Sequence, residues 1–399
     1  MSVGDVCKIL LESIAPGGDA LGRIEGKPVF AGGGAPDETV LCRITEDHNT
    51  WARAAILEII EPSPVRTDSP CAFYKSCGGC NLAHINYNAQ LMIKASILKE
   101  SFIRFAGFEP PEIEVFSSQA FEYRNRMQFH CLRQKAKGDS YGFGLKGRGA
   151  GEIVEITDCP VAVPKIRELI KKKTSINLPI EKDRFTVFAK DEVLLNEGGR
   201  QRGRIKLLDK EIIADAGMFF QSNCSMLEKL ILELQKITED TDKYAVNRSL
   251  PIADLYCGVG TFALFLGATF PKVILAEENK ASVSLARENL KAVLGRQGTE
   301  HEFFALRDNE WQKTLLRSEG MFGFAVIDPP RAGLNGKLAS SLAKNGPSVL
   351  AYVSCDAAAL ARDSKILVSG GYKLKELKLF DFYPQTAHIE SLAVFTKNK

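Results

Sequence analysis

The sequence predicts an α/β protein whose main body is a doubly wound sheet, preceded by a small β-barrel and a central β-rich region. Three observations carry this. Beyond about residue 213, apolar runs alternate with helical segments, the pattern of strands joined by crossover helices. Residues 1 to about 60 instead hold short alternating apolar runs between glycine-rich turns. After them comes Glu61-Pro62-Ser63-Pro64, where two prolines remove amide donors and favour an extended linker. The domains expected are residues 1–60, 61–212 and 213–399. At roughly 150 residues per domain, 399 residues leave room for two or three, each with its own core.

Each element has a local reason. In the barrel, Lys27 to Phe30, Thr39 to Ile44 and Ala54 to Ile60 are separated by turns at Gly17-Gly18 and Gly32-Gly33-Gly34. From Asn88 to Ala106 the apolar positions Leu91, Ala95, Leu98, Phe102 and Phe105 recur every three or four residues, predicting an amphipathic helix whose stripe is core. In the last domain, apolar runs at 252–256, 272–276, 302–306, 324–327, 349–353 and 391–395 alternate with helical segments near 261–268, 280–294, 336–344 and 357–368.

Composition excludes several classes. With 45% hydrophobic and 25% charged residues, 33 glycines and 17 prolines, neither disorder nor a fibrous repeat fits. The longest uncharged run, Leu255 to Pro271, is 17 residues and contains three glycines. A spanning helix needs roughly 20 mostly apolar residues, so no membrane association is expected. The start, MSVGDVCKIL, lacks the features of a secretory signal, and a cytoplasmic location is expected. Ten cysteines then read as thiols, metal ligands or catalysts rather than disulfides.

Net charge is +3, but it is unevenly spread, with residues 61–212 the basic part. There Arg124, Arg126, Arg133, Lys135, Lys137, Lys146 and Arg148 are interleaved with Tyr123, Phe129, Tyr141 and Phe143. This mixture suits phosphate contacts and base stacking, and suits a solvated β-rich surface equally.

In doubly wound sheets ligands gather beyond the carboxyl ends of the strands. Asp254-Leu255-Tyr256-Cys257-Gly258-Val259-Gly260-Thr261 sets a strand end against two glycines and a helix start. The third glycine of a dinucleotide fingerprint is absent, and Ala263 occupies its place. Glu277 ends the next run, 19 residues beyond Gly258, where a carboxylate can accept bonds from ribose hydroxyls; Asp308 follows the third strand and can meet an adenine amine. Successive strand-end acids around one glycine loop resemble S-adenosylmethionine sites more than nicotinamide ones.

Ile327-Asp328-Pro329-Pro330-Arg331 ends the fourth strand with a carboxylate and a rigid diproline. Enzymes that methylate exocyclic amines often have an aromatic residue after such a diproline; here it is Arg331. Tyr352-Val353-Ser354-Cys355 ends the fifth strand with a cysteine. A thiol is intrinsically nucleophilic and needs only a modest pKa shift to attack. His388-Ile389-Glu390 opens the last strand with a potential base.

Taken together, Asp328-Pro329-Pro330-Arg331-x-Gly333, Tyr352-x-Ser354-Cys355, His388-Ile389-Glu390 and Phe220-Gln221-x-Asn223 resemble the RNA uracil-5-methyltransferases over nearly the whole chain. Pro16-Gly17-Gly18-Asp19-Ala20-Leu21-Gly22-Arg23 is similar to the opening of the TRAM domain, an RNA-binding barrel of the OB-like kind. Cys71-x5-Cys77-x2-Cys80 with Asp158-Cys159-Pro160 is similar to the family's iron–sulfur ligand set. Spacing alone leaves zinc and iron open, and the resemblance implies a four-iron four-sulfur cluster held by Cys71, Cys77, Cys80 and Cys159.

The resemblance further implies a Rossmann-like methyltransferase sheet, a central iron–sulfur domain and methylation of carbon 5 of a uridine in structured RNA, ribosomal ahead of transfer RNA. It implies Cys355 as nucleophile toward carbon 6 and Glu390 as base. Gln221, Tyr256, Gly258, Gly260, Thr261, Glu277, Asp308 and Asp328 are the implied S-adenosylmethionine site, with Asp328 also facing the uracil and Gln221 bridging to it. A monomer is expected. Asp356 and Ala359 stand where the family has Asn and Thr, and Asp356 is expected to cap the following helix, since Asp and Asn are near-equivalent caps. Thr261 stands where some relatives have Asn. Two competing readings are a non-catalytic RNA-binding iron–sulfur protein with a vestigial methyltransferase fold and a methyltransferase of exocyclic amines or cytosine. The intact Cys355, Glu390 and glycine loop oppose the first, and Arg331 opposes the second.

Overall fold

A computed structural model describes residues 1–132, 142–149, 151–172, 183–295, 299–316 and 321–397. The chain opens as a closed barrel of β1 (Val6–Ile14), β2 (Ala20–Ile24), β3 (Lys27–Ala31), β4 (Glu38–Asp47) and β5 (Ala52–Glu61), ordered β1-β2-β3-β5-β4. Alternation along β1 sends Ile9 and Leu11 inward onto Val29, Val40 and Ile44. Closure leaves no unpaired strand edge. Buried Glu38 ties the barrel to the linker beyond β5: its carboxylate accepts from the Ala35 amide at 2.8 Å and from Arg66 Nη2 at 2.7 Å. Burial pushes its pKa up, but Arg66 and the amides outweigh burial and hold it below the usual value.

Helix α1 (Tyr87–Ser101) comes next, capped by Asn86, whose side chain accepts from the Ala89 amide, and it runs on into a π-helical turn over Phe102–Ala106. The helix lies where expected, but its buried face differs. Gln90, Lys94, Ile97, Leu98 and Ser101 are buried, whereas Phe105 is 42% exposed. The reason is the partner surface, a polar loop at residues 381–389. Lys94 Nζ donates to Asp381 Oδ1 at 2.6 Å with both side chains fully buried, and to the Tyr383 carbonyl at 3.0 Å.

After the short β6 (Ile113–Phe116), a central five-stranded sheet is built from β7 (Arg126–Leu132), β8 (Gly142–Lys146), β9 (Ile153–Val154), β10 (Arg184–Lys190) and β11 (Val193–Asn196), with α2 (Pro164–Lys172) packed on β10. Phe129, Phe143 and Phe185 interlock there at ring separations of 4.9–5.7 Å. This corrects the base-stacking expectation: Tyr123, Phe129 and Phe143 are 3%, 0% and 1% exposed and form core. Arg133, Lys135, Lys137 and Tyr141 lie outside the described residues.

A hairpin of β12 (Arg202–Leu207) and β13 (Lys210–Asp215) leads into α3 (Cys224–Glu239) and the single turn α4 (Thr241–Tyr244). The catalytic sheet then comprises β14 (Ile252–Leu255), β15 (Lys272–Ala276), β16 (Glu300–Phe304), β17 (Phe324–Ile327), β18 (Val349–Ser354), β19 (Tyr372–Phe380) and β20 (Glu390–Lys397). Its helices are α5 (Thr261–Leu266), α6 (Lys280–Val293), α7 (Asp308–Thr314), α8 (Gly336–Asn345) and α9 (Ala357–Ser369).

The strand order is β16-β15-β14-β17-β18-β20-β19-β6. Winding reverses between β14 and β17, the crevice where such sheets bind ligands. β20 runs antiparallel to both neighbours, with Ser391 opposite Ser354. The expected boundary at 212/213 falls inside β13, and β6 pairs in parallel with β19, so the catalytic sheet recruits chain from upstream of the central sheet. No described helix is long and apolar enough to cross a membrane.

Removing one partner of a buried ion pair strands the other charge, which typically costs about 3–5 kcal/mol. Lys94→Met should therefore destabilise the chain by about that much in urea unfolding, and a loss below about 1 kcal/mol would show that the pair does not hold α1 to the loop.

Candidate active site

A cavity of about 950 Å³ opens at the carboxyl edge of the sheet. Its first half is built on the turn after β14. Tyr256 adopts the left-handed conformation at φ 61°, and its hydroxyl donates to Asp308 Oδ2 at 2.8 Å while its ring meets Trp311 edge-on. Glu277, just past β15, is pinned facing the same turn: Oε2 accepts from the Gly258 amide at 3.2 Å and Oε1 from the Asn279 amide at 2.9 Å. Of the eight residues expected to hold the cofactor, Gln221, Tyr256, Gly258, Thr261, Glu277, Asp308 and Asp328 line the cavity. Gly260 does not. It packs behind the turn at φ 81°, where a Cβ would lie 2.9 Å from Leu290 Cδ1, so its role is to let the turn close on α6.

In this half of the site, two buried acceptors lack partners among the described residues. Gln221 Oε1 is one; Asp254 Oδ1 is the other, while Asp254 Oδ2 accepts from the Ala263 amide at 2.9 Å. Burial, reinforced by Asp328 and Glu277, pushes the Asp254 carboxyl up to about 8. The sequence reading quoted Asp254 at the head of the glycine-loop motif but gave it no role, and it is buried behind the cavity lining within an apolar run. Its signal was a carboxylate inside a strand predicted to be buried on both faces. An acidic wall with an unpartnered acceptor at Gln221 fits a ligand carrying a sulfonium and an ammonium group.

The second half is assembled from three strand ends. Asp328 follows β17, Cys355 follows β18, and Glu390 is the first residue of β20. All three line the cavity, as do Arg331, His388 and Tyr383. Burial, with Asp328 adding, raises Glu390 well above the usual carboxylate range, and burial raises Asp328 to about 7. Burial, then Glu390 and Asp328, lifts the Cys355 thiol to about 12, with Arg331 opposing. His388 sits 3.4 Å from Arg331 Nη2, and burial with Arg331 and Arg124 lowers it to about 4. Glu390 Oε1 is buried without a partner among the described residues. Asp356 caps α9 as expected, its Oδ1 accepting from the Ala359 amide at 2.8 Å.

Cys71, Cys77, Cys80 and Cys159 are neighbours. Burial raises Cys80 to about 12, with Cys159, Cys77 and Cys71 adding and Arg124 opposing. Gly79 donates its amide toward Cys77 Sγ at 3.4 Å. Among the described residues, no group of three or more His, Cys, Asp or Glu side chains is arranged to hold a metal ion. Gly78 and Gly79, between Cys77 and Cys80, line the same cavity as Cys355, as do Arg124 and Arg126. The sequence reading singled out the cysteines and arginines but did not foresee that the loop between Cys77 and Cys80 and the two arginines reach the cavity.

Comparison with known proteins identifies the family. The tRNA (uracil-5-)-methyltransferase family matches residues 201–398, and the TRAM domain matches residues 2–57. An uncharacterized RNA methyltransferase of Treponema denticola is 32% identical, with 94% of this chain and 95% of the relative covered. The chain belongs to the RNA uracil-5-methyltransferase family. Another member of that family, the 23S rRNA (uracil(1939)-C(5))-methyltransferase RlmD of Vibrio parahaemolyticus, is 27% identical over 98% of this chain and 96% of its own. The crystal structure of Pyrococcus abyssi tRNA (uracil-54, C5)-methyltransferase with S-adenosyl-L-homocysteine superposes with a TM-score of 0.73. It covers 98% of this chain and 99% of the other at 24% identity, and so shows a shared fold.

The Asp254 carboxyl titrates near 8 when folded and about 3.9 when unfolded. Between those values the folded state holds the extra proton, so stability falls as pH rises through that window. Asp254→Asn removes the titration and should be more stable than the parent at pH 8.5, with the gap shrinking toward pH 5. A pH-independent gap in urea melts would show that Asp254 is already ionised in the folded state.

Proposed function

We propose that this chain methylates carbon 5 of a uridine in structured RNA, ribosomal rather than transfer RNA, through a transient Cys355 adduct at carbon 6. The observation that carries this is the meeting of Cys355, Glu390 and Asp328 on one cavity wall beside the acidic pocket at Glu277 and Asp308. The ribosomal choice rests on the Vibrio relative, similar over nearly its full length.

S-Adenosylmethionine, held by Gln221, Tyr256, Gly258, Glu277 and Asp308, supplies an electrophilic methyl group. The rest falls to the chain. Carbon 5 of uracil is a weak nucleophile, and bonding of the Cys355 thiolate to carbon 6 moves the ring π electrons into an enolate that makes carbon 5 nucleophilic. Arg331 is the neighbour that favours the thiolate. Burial and the neighbouring Asp328 hold Glu390 toward its protonated form, so Glu390 must give up a proton to act as the base, an ionisation that a cationic ligand beside it favours. Glu390 removes the proton left on carbon 5, the sulfur–carbon 6 bond breaks, and its electrons return to sulfur. The uridine enters flipped from its stack, at a cost of a few kcal/mol, with Arg124 and Arg126 on the cavity wall suited to its phosphates.

Cys71, Cys77, Cys80 and Cys159 would supply the soft tetrathiolate set of a four-iron four-sulfur cluster, whose work would be folding and RNA docking, since methyl transfer needs no redox step.

Cys355→Ala should form no covalent complex with RNA carrying 5-fluorouridine. Glu390→Gln should still form one with ordinary uridine RNA and release it at least about a hundredfold more slowly. An adduct on Cys355→Ala, seen on denaturing gels, would remove the nucleophile assignment. Anaerobically purified protein should carry about four iron and four sulfide per chain. Stoichiometric zinc in a colourless protein would overturn that part.

A further inference from the structure

The loop of residues 381–389 delivers Tyr383, His388 and Glu390 to the cavity, yet no strand pairing spans it. Its course is set by side chains reaching across from residues 81–94, together with Tyr123, whose hydroxyl donates to the Pro384 carbonyl at 2.9 Å, and Asn223, whose Nδ2 donates to the Phe382 carbonyl at 3.2 Å. Gln90 donates from Nε2 to Gln385 Oε1 at 3.0 Å, and its Oε1 accepts from the Gln385 backbone N–H at 2.8 Å. Gln385 itself is left-handed at φ 68°. Asn81, immediately after Cys80, holds the end of the loop that leads into His388 and Glu390. Its Oδ1 accepts from the Ala387 amide at 2.8 Å, and its backbone amide donates to the Gln385 carbonyl at 3.1 Å. Its Nδ2 donates to the Gly17 carbonyl of the barrel at 2.5 Å.

The fit at Asn81 is close. Gly18 packs so near that a Cβ there would lie 2.4 Å from Asn81 Nδ2 and 3.2 Å from Ala387 Cβ. The cysteine loop behind Asn81 is itself braced, since Arg148 donates to the carbonyls of Tyr74 and Cys80 at 3.0 and 2.7 Å. Ala387 directly precedes His388 and lies three positions before Glu390. The Glu390 Oε1 is unpartnered, and its backbone is held on one side by β20, where Glu390 pairs with Phe380, and on the other by the 385–389 segment that leads into it.

We propose that Asn81 is a positioning residue for the deprotonation of carbon 5: it fixes the 385–389 backbone against the cysteine loop and the barrel, and so sets the reach of Glu390. This rests on the function proposed above. Displacement of a catalytic group by about 1 Å can cost on the order of a hundredfold in rate. In the full chain, Asn81→Ala should lower kcat by about ten- to a hundredfold, with KM for RNA and for S-adenosylmethionine within about twofold. The covalent complex with ordinary uridine RNA should accumulate, as with Glu390→Gln. A merely structural role would lower the melting temperature without changing that partition. Asn81→Asp retains the acceptor for the Ala387 amide and should restore most of kcat, which separates the catalytic-loop contact from the barrel contact. If Asn81→Ala does not fold, Asn81→Ser, too short to reach Ala387, is read in its place.

Wild-type kcat and adduct partition in the folded variant overturn the inference, as does a raised KM for RNA with kcat unchanged. If the parent chain forms no adduct with 5-fluorouridine RNA, the functional reading falls and the inference falls with it. If the parent turns over normally and the variant matches it, the inference alone falls.

Discussion

The antiparallel insertion of β20 between β18 and β19 is the constraint on which the site depends. In a parallel sheet, strand ends collect at one rim and strand starts at the other. Cys355 ends a strand and Glu390 starts one, so two parallel strands would have set them at opposite edges. Reversal of β20, with Ser391 opposite Ser354, brings both to the same rim beside Asp328. The cost is a connection from β19 that must double back over that rim. Helix α1 answers it with Gln90 and Lys94, polar side chains buried on a face that would otherwise be apolar.

The same convergence determines the electrostatics. Asp328, Glu390 and Cys355 share one cavity wall with Asp254 buried behind it, and each is pushed toward its neutral form, while His388 is pushed toward neutral imidazole. Arg331 is the cation set against them. A wall poised in this way gains most from a cationic ligand, whose charge favours ionisation of the acids nearest to it.

Legibility in the sequence depends on how each signal arises. Strand-end motifs were legible because glycines, a diproline and a cysteine at the rim are chosen by local geometry and chemistry. The face of α1 was not, because Gln90 and Lys94 owe their burial to Gln385 and Asp381, nearly three hundred residues away. Phe129 and Phe143 misled for the opposite reason: aromatics among arginines look like stacking platforms, but β7 and β8 turn these rings into the core. Strand β19 was missed because its charged alternation resembles a solvated surface, although Lys378 is buried against Glu233 and Glu376.

Strand β6 carries a consequence for biosynthesis. Ile113 to Phe116 leave the ribosome long before Leu377 to Phe380, the strand segment with which they pair. Throughout most of translation this segment is an orphan, and its neighbours must keep it from capturing another nascent chain. Two charges, Glu112 and Glu114, flank or interrupt its apolar residues and serve as local gatekeepers during that wait.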